Sequence, residues 1–404
     1  MFSRSLVFPY APLYILSLGG DPSEVGLVYA LGPLGGLVMY PIAGYLADHV
    51  DRAKLIALTG YVSALVVLIY VAAPNWKWVA FARMLQGIGA VQTPAQSSII
   101  ADSLDPSNRG RGNATMTTVA GTVALIAPYI AGVLLDAYGI DVGMRILYGA
   151  MAAAGGIAST INLLFIRETR EIPGQKITAA GLAQALKDSY SGIPSLLRRF
   201  SYPLRAMSTI SILAYIVNGI ASPFWVIRAE THIGLTRRAW GLVLMIEQGL
   251  RSLIGIPAGF CVDRFGRTKF ILGGLLAYSV LVPLFLYAQT FSNVVLVRCA
   301  IVLVGSFFSP ACSALVADLM PRDIRGRAMA LVGRGSVRMA AASGGTGGPG
   351  VGLLTILPLM LASYSGGVLY ELDSTWPWMI VPGITMAGFL LAAVFVRDPE
   401  VAEV

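Results

Sequence analysis

Residues 259–269 read Gly259-Phe-Cys-Val-Asp263-Arg264-Phe-Gly266-Arg267-Thr-Lys269, a short charged stretch between two long apolar runs. Residues 44–54 repeat its pattern earlier in the chain as Gly44-Tyr-Leu-Ala-Asp48-His-Val-Asp51-Arg52-Ala-Lys54. Asp48 of the first copy corresponds to Asp263 of the second (48 + 215 = 263). A charged turn that recurs at a long offset indicates an internal duplication, which has to be established before any local pattern is interpreted.

Two further matches extend the duplication. The segment Gly89–Asp102 shares its Pro-Ala-x-Ser core and its final Ala-Asp with the segment Gly305–Asp318, at almost the same offset (102 + 216 = 318). Arg109-Gly-Arg111 matches Arg325-Gly-Arg327 in the same way (109 + 216 = 325). The chain therefore consists of two related halves in tandem, which we place at residues 1–166 and 206–404, with a cytoplasmic linker at residues 167–205.

The composition is that of a membrane protein. Apolar residues make up 56% of the chain and charged residues only 12%, against roughly a quarter charged in soluble domains. Apolar runs of about 20 residues, long enough to cross a bilayer, recur along the whole sequence. They predict an all-α protein with twelve transmembrane helices, six in each half, near residues 3–18, 24–46, 55–73, 78–103, 112–136, 143–166, 206–227, 238–261, 270–288, 293–319, 327–371 and 376–396.

The net charge of +8 reflects orientation in the membrane. Most Lys and Arg residues fall in loops on the same side as the N-terminus, which is the positive-inside pattern. We therefore expect both termini in the cytoplasm, contact with anionic lipid in the cell membrane, and no binding of nucleic acid. The three cysteines all fall in apolar helices, and we find no metal-ligand cluster or phosphate-binding loop.

The loop pattern Gly-x-x-x-Asp-Arg-x-Gly-Arg-x-Lys resembles motif A of the major facilitator superfamily. Arg83-Met-Leu-Gln86-Gly87 resembles the family's helix-4 motif, and Ala127-Pro128-Tyr-Ile-Ala131-Gly132 resembles its antiporter motif with two glycines replaced by Ala. The resemblance implies a monomeric secondary transporter that works by alternating access, is not an enzyme and needs no cofactor. Its drug/proton antiporter branch implies proton-coupled efflux of a small organic solute.

The resemblance also implies a gate on the inner side. Asp48 and Asp263 would each cap the N-terminal end of a helix in the opposite half, where backbone N–H groups lack partners and the helix dipole is positive. The helix ends available to them lie near Gly326 and Gly112. The charged residues that would complete this clamp are Arg52, Asp102, Arg111, Arg264, Arg267, Asp318 and Arg327.

Ionisable residues within predicted spans are candidates for coupling, because a charge in a bilayer is expensive. Glu247 is the one acidic residue deep within a predicted span, and Arg251 follows one helical turn later on the same face. We interpret Glu247 as the protonation site with Arg251 as the group that tunes its pKa; the alternative is a static ion pair that holds this helix to a neighbour. Arg83 and Arg298 occupy equivalent positions near the outer ends of helices 4 and 10, where snorkelling accounts for both, and the resemblance gives Arg83 a proton-coupling role.

Five further residues are candidates for substrate binding. Arg334 and Arg338 lie one turn apart in predicted helix 11, which suggests a carboxylate partner or an anionic ligand. Gln92, Gln96 and Asn218 are polar residues in helices that would line the cavity. The surplus of arginines over carboxylates within the spans motivates an alternative function, transport of an organic anion.

Two regions depart from the symmetry of the halves. The Gly-rich residues 344–352 should interrupt helix 11, either as a broken helix that lines the transport path or as an extension without a role in transport. Helix 1 should begin within a few residues of Met1, with its inner end recessed relative to helix 7. Within the linker, residues 179–190 are compatible with an amphipathic surface helix, the alternative being a solvated connection.

Overall fold

The computed structural model describes residues 2–105, 109–168, 178–321, 323–333, 339–341 and 351–398. The first half contains six helical segments in the expected order. They are α1 (Phe2–Val7 and Ala11–Ser17), α2 (Pro22–His49), α3 (Arg52–Ala72), α4 (Trp76–Leu85 and Gln92–Ser103, joined by a 3₁₀ turn at Gln86–Val91), α5 (Arg109–Leu125 and Ala127–Tyr138) and α6 (Ile140–Phe165).

The second half repeats this arrangement. Its segments are α7 (Tyr202–Ala221 and Phe224–Thr231), α8 (Arg237–Phe265), α9 (Arg267–Leu284), α10 (Phe291–Asp318), α11 (Arg325–Val332 and Leu353–Leu372) and α12 (Trp376–Met379 and Val381–Phe395). Among the described residues, ten segments are long and apolar enough to cross a membrane. The remaining two, α1 and α4, are divided into shorter pieces, α1 beside Pro9 and α4 at its 3₁₀ turn.

Large apolar side chains cover the outside of the helix bundle. Leu65, Leu164, Phe260 and Leu361 are all exposed on long helices. A soluble protein rarely leaves so much apolar surface in contact with water, whereas in a membrane this surface faces lipid. The protein is therefore a multi-pass membrane protein.

The two halves are in contact at their outer ends, with "outer" meaning the side opposite the Arg- and Lys-rich loops. At the α2–α11 crossing, a Cβ added to Gly26 would lie 2.5 Å from the carbonyl oxygen of Ser363. At the α5–α8 crossing, a Cβ added to Gly132 would lie 2.3 Å from the carbonyl oxygen of Arg237. Helices that approach this closely need glycine at the contact, so both crossings are tight backbone-to-backbone seals.

A cavity of about 770 Å³ lies between the halves at their inner ends. Tyr40 of α2 and Pro94 of α4 line it from the first half, and Arg327 and Leu331 of α11 line it from the second. Because the outer ends touch and the inner ends enclose this space, the structure is an inward-facing conformation.

The described part of the linker contains two helices, Ala179–Ser191 and Ile193–Arg198. The Tyr190 hydroxyl of the first helix donates a hydrogen bond to the carbonyl of Leu37 in α2. Arg199 forms an ion pair with Asp323 in the α10–α11 loop, and its hydrogen bond lowers the pKa of that carboxyl. The linker therefore contacts both halves at the inner side.

The two departures from symmetry lie where the sequence predicted them. Helix α11 is interrupted between Val332 and Leu353, and of the intervening residues the structure describes only Gly333, residues 339–341, and residues 351 and 352. Helix α1 begins at Phe2 and has seven residues before Pro9 (9 − 2 = 7), whereas α7 has 21 before Pro223 (223 − 202 = 21).

Candidate functional site

A buried ion pair joins α8 and α10 inside the second half. The Glu247 carboxylate accepts two hydrogen bonds from Arg298, from Nε at 2.6 Å and from an Nη at 3.1 Å. Glu247 is 6% exposed and Arg298 only 1%. Bidentate pairs of this kind are among the strongest charge-assisted contacts in proteins. Glu247 is the only carboxylate in the described part of the chain that is buried.

This pair bears on two expectations from the sequence. The carboxylate of Glu247 pairs with Arg298 of the neighbouring helix α10, the kind of contact that the sequence offered as the alternative to a protonation site, while the role of Arg251 in tuning the pKa of Glu247 stays a prediction. Arg298 was expected to snorkel to the outer surface, yet its guanidinium points into the protein. A buried arginine finds its partner through the packing of neighbouring helices, which spacing along one helix does not reveal.

Arg298 makes two contacts besides Glu247. Its other Nη donates a hydrogen bond to the carbonyl of Ala340 at 3.0 Å, and its guanidinium lies 4.4 Å from the centre of the Trp225 ring. A cation over an indole face at this distance is stabilised by the ring quadrupole. The arginine therefore remains held in place even when the carboxylate is neutral.

The described non-helical residues between the two parts of α11 form hydrogen bonds beside the Glu247–Arg298 pair. Ala340 has a positive φ of 57°, which is uncommon for a residue with a side chain. The backbone N–H of Ala341 donates to Oδ1 of Asn218 at 3.1 Å, and its carbonyl accepts from the Ser222 hydroxyl at 2.7 Å. Backbone groups that leave a helix within a membrane need such partners, so Asn218 supports the broken part of α11.

A cavity of about 320 Å³ lies beside the pair. Arg251, Arg298 and Tyr278 line it together with Ser306 and the non-helical residue Met339. The cavity thus combines cationic, phenolic and hydroxyl groups with apolar wall, and Arg251 contributes to it from the helix that carries Glu247. Small-molecule sites have this mixture of apolar surface and a few convergent polar groups.

The other predicted substrate contacts are more scattered. Gln92 points toward α3, with Nε2 placed 3.5 Å from where a Cβ on Gly60 would lie, and Gln96 is exposed. Arg334 and Arg338 lie outside the described residues. Arg83 packs between aromatic rings of the first half, at 5.2 Å from Phe8.

The predicted gating residues form two equivalent clusters, each within one half. Arg52 donates to Asp102 at 2.9 Å and to Glu168 at 2.6 Å. Its counterpart Arg267 pairs with Asp318. Asp102 and Asp318 belong to the same half as their arginines, and Glu168 directly follows α6 of the first half, so these contacts do not hold the halves together in the inward-facing conformation.

Each cluster includes a carboxylate that the sequence patterns did not single out. The Glu168 carboxylate follows α6 and accepts the Arg52 backbone N–H at 2.6 Å; that of Asp398 follows α12 and accepts the Arg267 N–H at 3.0 Å. Both cap the first turn of a helix, where carboxylates are stabilised by the dipole. Their equivalent positions after the last helix of each half (168 + 230 = 398) were the available signal.

The remaining gating candidates do not show the expected clamp in this conformation. Asp263, Arg264 and Arg327 are exposed, as befits an inner side that is open. The side chains of Asp48 and Arg111 lie outside the described part of the structure.

A cap between the halves is present at the outer end instead. The Asp136 carboxylate, at the end of α5, accepts hydrogen bonds from the backbone N–H groups of Arg237 at 3.2 Å and Arg238 at 2.9 Å. These N–H groups are the first of α8, so the carboxylate of one half caps a helix of the other. Beside it, the Tyr10 hydroxyl lies 2.8 Å from the carbonyl oxygen of Pro128 and 3.0 Å from that of Arg237.

Two six-helix halves that seal at one end and enclose a cavity at the other have the architecture of a membrane transporter. The family model for the Major Facilitator Superfamily matches residues 1–206 and again residues 207–404. The chain therefore belongs to the major facilitator superfamily.

Relatives and solved structures agree with this assignment. The chain is 23% identical over 327 residues to a multi-drug resistance efflux pump PmrA homolog of Lactococcus lactis, covering 80% of this chain and 78% of that protein. It is 25% identical over 334 residues to the multidrug resistance protein MdtG of Enterobacter lignolyticus, covering 80% and 76%.

Among solved structures, a D-xylose–proton symporter superposes with a TM-score of 0.70 at 16% identity, covering 98% of this chain and 94% of that one. A bacterial homolog of the human lysosomal transporter Spinster, in an inward-facing and unoccupied conformation, superposes with a TM-score of 0.68 at 15% identity, covering 99% and 96%. At these identities the likeness shows the fold.

Proposed function

We propose that this protein exports small organic compounds in exchange for protons, with Glu247 as the group that carries the proton. The observation that carries the proposal is the buried, bidentate Glu247–Arg298 pair beside a cavity of ligand size. The names of the PmrA and MdtG relatives as drug efflux proteins support export as the direction. The alternative of organic-anion transport drew on the surplus of arginines over carboxylates within the spans, and the relatives do not favour it.

The geometry supplies a coupling mechanism. In the inward-facing conformation Glu247 has the contacts of an ionised carboxylate, which corresponds to the state after its proton has left. When a proton returns, the pair loses its charge attraction, while Arg298 keeps its contacts with Trp225 and the Ala340 carbonyl. Protonation therefore changes the attraction between α8 and α10 and leaves α7, α10 and α11 connected around the cavity.

The exchange follows from this change in attraction. Substrate binds from the inside while Glu247 is ionised. Uptake of a proton from the outside then lowers the affinity of the site for the substrate, which is released on that side. Two ligands that disfavour each other at one site, within a protein that opens to one side at a time, give coupled counter-transport. The ends α5–α8 and α2–α11, sealed in this conformation, would open for release.

The test is transport of ethidium, a lipophilic cation, by protein reconstituted into vesicles with an imposed pH gradient. Glu247→Gln keeps the size of the side chain and removes its titration, so we expect gradient-driven accumulation to fall to the level of empty vesicles. Passive ethidium exchange without a gradient should persist, because it needs no proton. Glu371→Gln, which changes an exposed carboxylate at the outer end of α11, is the matched control and should transport normally. Accumulation of ethidium by the Glu247→Gln protein would show that another group carries the proton.

A further inference from the structure

The arginine of the first half has an environment unlike that of Arg298. The Arg83 guanidinium lies between the rings of Phe8 and Tyr29, at 5.2 and 5.1 Å from their centres, and one Nη donates to Oε1 of Gln86 at 3.3 Å. Within the described residues, no carboxylate forms an ion pair with it. A guanidinium carries five N–H donors in its plane, and aromatic faces stabilise its charge without accepting those hydrogens.

The internal repeat shows which residue of the second half has no counterpart beside Arg83. Arg83 corresponds to Arg298 (83 + 215 = 298), and Gly32 corresponds to Glu247 (32 + 215 = 247). Gly32 also occupies the matching place in space, since a Cβ added to it would lie 3.1 Å from Nε of Arg83. The first half therefore keeps the cation and has glycine in place of the anion.

The first half carries phenols where the second half has apolar side chains. Tyr29 and Tyr70 are almost fully buried, and neither hydroxyl donates a hydrogen bond to an acceptor among the described residues. Tyr70 stacks on Tyr148 at 4.5 Å, as their counterparts in the second half stack at 6.0 Å. The counterparts of Tyr29, Tyr70 and Tyr148 are Leu244, Phe285 and Trp378 (29 + 215 = 244, 70 + 215 = 285 and 148 + 230 = 378).

The charge of this region is unbalanced as well. The Arg83 guanidinium acts as a charge on the Tyr29 hydroxyl and as both a charge and a hydrogen-bonding group on the Tyr70 hydroxyl, and Arg4 of α1 adds a second positive charge that repels it. A buried donor without an acceptor is destabilising, and a charge within a membrane protein is normally paired. Within the described residues the two phenolic hydroxyls have no acceptor, and the guanidinium, which is bonded to Gln86, has no acid. One anion at this place would satisfy all three groups.

We propose that Arg83, Tyr29 and Tyr70 form a binding site for a single anionic group in the first half. The occupant is chloride or the carboxylate of an organic ligand, which share the negative charge and the capacity to accept several hydrogen bonds. The site depends neither on Glu247 nor on the direction of transport. It gives the two halves equivalent neutral pairs, one made with a side chain and the other with a ligand.

The experiment measures thermal unfolding of the purified protein in detergent as sodium methanesulfonate, a weakly basic anion without a carboxylate, is replaced by sodium chloride at constant ionic strength and pH. Constant ionic strength keeps general screening the same, so a shift reports specific binding. A second series replaces methanesulfonate by benzoate. The variants are Gly32→Glu, which installs the acid of the second half, Gly32→Ala, which adds only the Cβ beside Arg83, and Arg83→Gln.

We expect chloride or benzoate to raise the unfolding midpoint of the unaltered protein in a saturable manner. Gly32→Ala should keep this response, whereas Gly32→Glu and Arg83→Gln should weaken the apparent affinity at least tenfold. Benzoate binding tenfold more tightly than chloride would identify the anion as part of an organic ligand, and equal or weaker binding would identify an inorganic anion. Methanesulfonate, chloride and benzoate giving the same midpoint in the unaltered protein would overturn the proposal, and so would a response that survives in Gly32→Glu. Because no transport is measured, this result is independent of the test of Glu247.

Discussion

The two halves place an arginine at equivalent positions and surround it with different groups. In the second half Arg298 forms a bidentate pair with Glu247 and is 1% exposed. In the first half Arg83 is half-buried, stacks on Tyr29 and faces Gly32 at the position of the acid. One duplicated fold therefore places a titratable pair on one side and, within the described residues, a cation without an acid on the other.

This difference shows how a duplicated chain divides its tasks. The residues that build the scaffold are matched between halves, as the clusters around Arg52 and Arg267 show. The residues around the two arginines are not matched, as Glu247 and Gly32 show, and this agrees with the proposal that one half carries the proton and the other binds an anion. Positions at which the two halves carry different residues therefore indicate function, whereas positions at which they carry the same residues indicate the shared scaffold.

The largest expected effect is the difference in protein stability between replacing Arg298 and replacing Arg83. Arg298→Met leaves Glu247 buried without a partner, and breaking a buried pair in this way costs about 3–5 kcal/mol. Arg83→Met removes a cation that has no acid partner among the described residues, so we expect a change within about 1 kcal/mol. The free energy of unfolding in mixed detergent micelles measures both.

A rescue experiment controls this comparison. Adding Glu247→Gln to the Arg298→Met protein removes the orphaned charge and should recover most of the lost stability. Equal destabilisation by the two arginine substitutions, or no recovery in the double variant, would contradict the distinction between the halves.

A smaller effect is expected at the seal between the halves. The α2–α11 crossing is closed by glycine packing, whereas the α5–α8 crossing adds the Asp136 carboxylate on the first N–H groups of α8. Asp136→Asn weakens this attraction by about 0.3–2 kcal/mol, which shifts the ratio of outward-open to inward-open molecules by roughly two- to thirtyfold. Distances between spin labels at the outer ends of α5 and α8 report the populations.

Asp141→Asn is the matched control for that shift. Asp141 lies nearby on the outer side but pairs with Arg145 of its own helix, at 2.9 Å. The same chemical change there should leave the distance distribution unaltered. A similar shift in both variants would mean that the outer closure responds to surface charge in general and not to the cap.

Much of the architecture could be predicted from the sequence, because hydrophobic length and the duplication are properties of the chain itself. The predicted helices 24–46 and 55–73, for example, correspond to α2 (Pro22–His49) and α3 (Arg52–Ala72). The break in α11 was also predictable, since a Gly-rich run with proline does not continue a helix.

The partners of charged residues were harder to predict, because they depend on how helices pack across the bundle. Glu247 was recognised by its depth, but its pairing with Arg298 comes from the contact of α8 with α10. Asp136 was not singled out, because a carboxylate near the end of a helix resembles an ordinary surface charge in sequence. Only the approach of α8, imposed by Gly132 and Gly241, turns it into a cap between the halves.

The central claim, that the proton and the exported compound oppose each other through Glu247, is tested most directly by the pH dependence of ligand affinity. Equilibrium binding of ethidium to the purified protein should weaken as the pH falls, because protonated Glu247 disfavours the ligand-binding arrangement. In Glu247→Gln, which cannot titrate, the affinity should be low and independent of pH. A Glu247→Gln protein whose affinity for ethidium varies with pH as in the unaltered protein would contradict the claim.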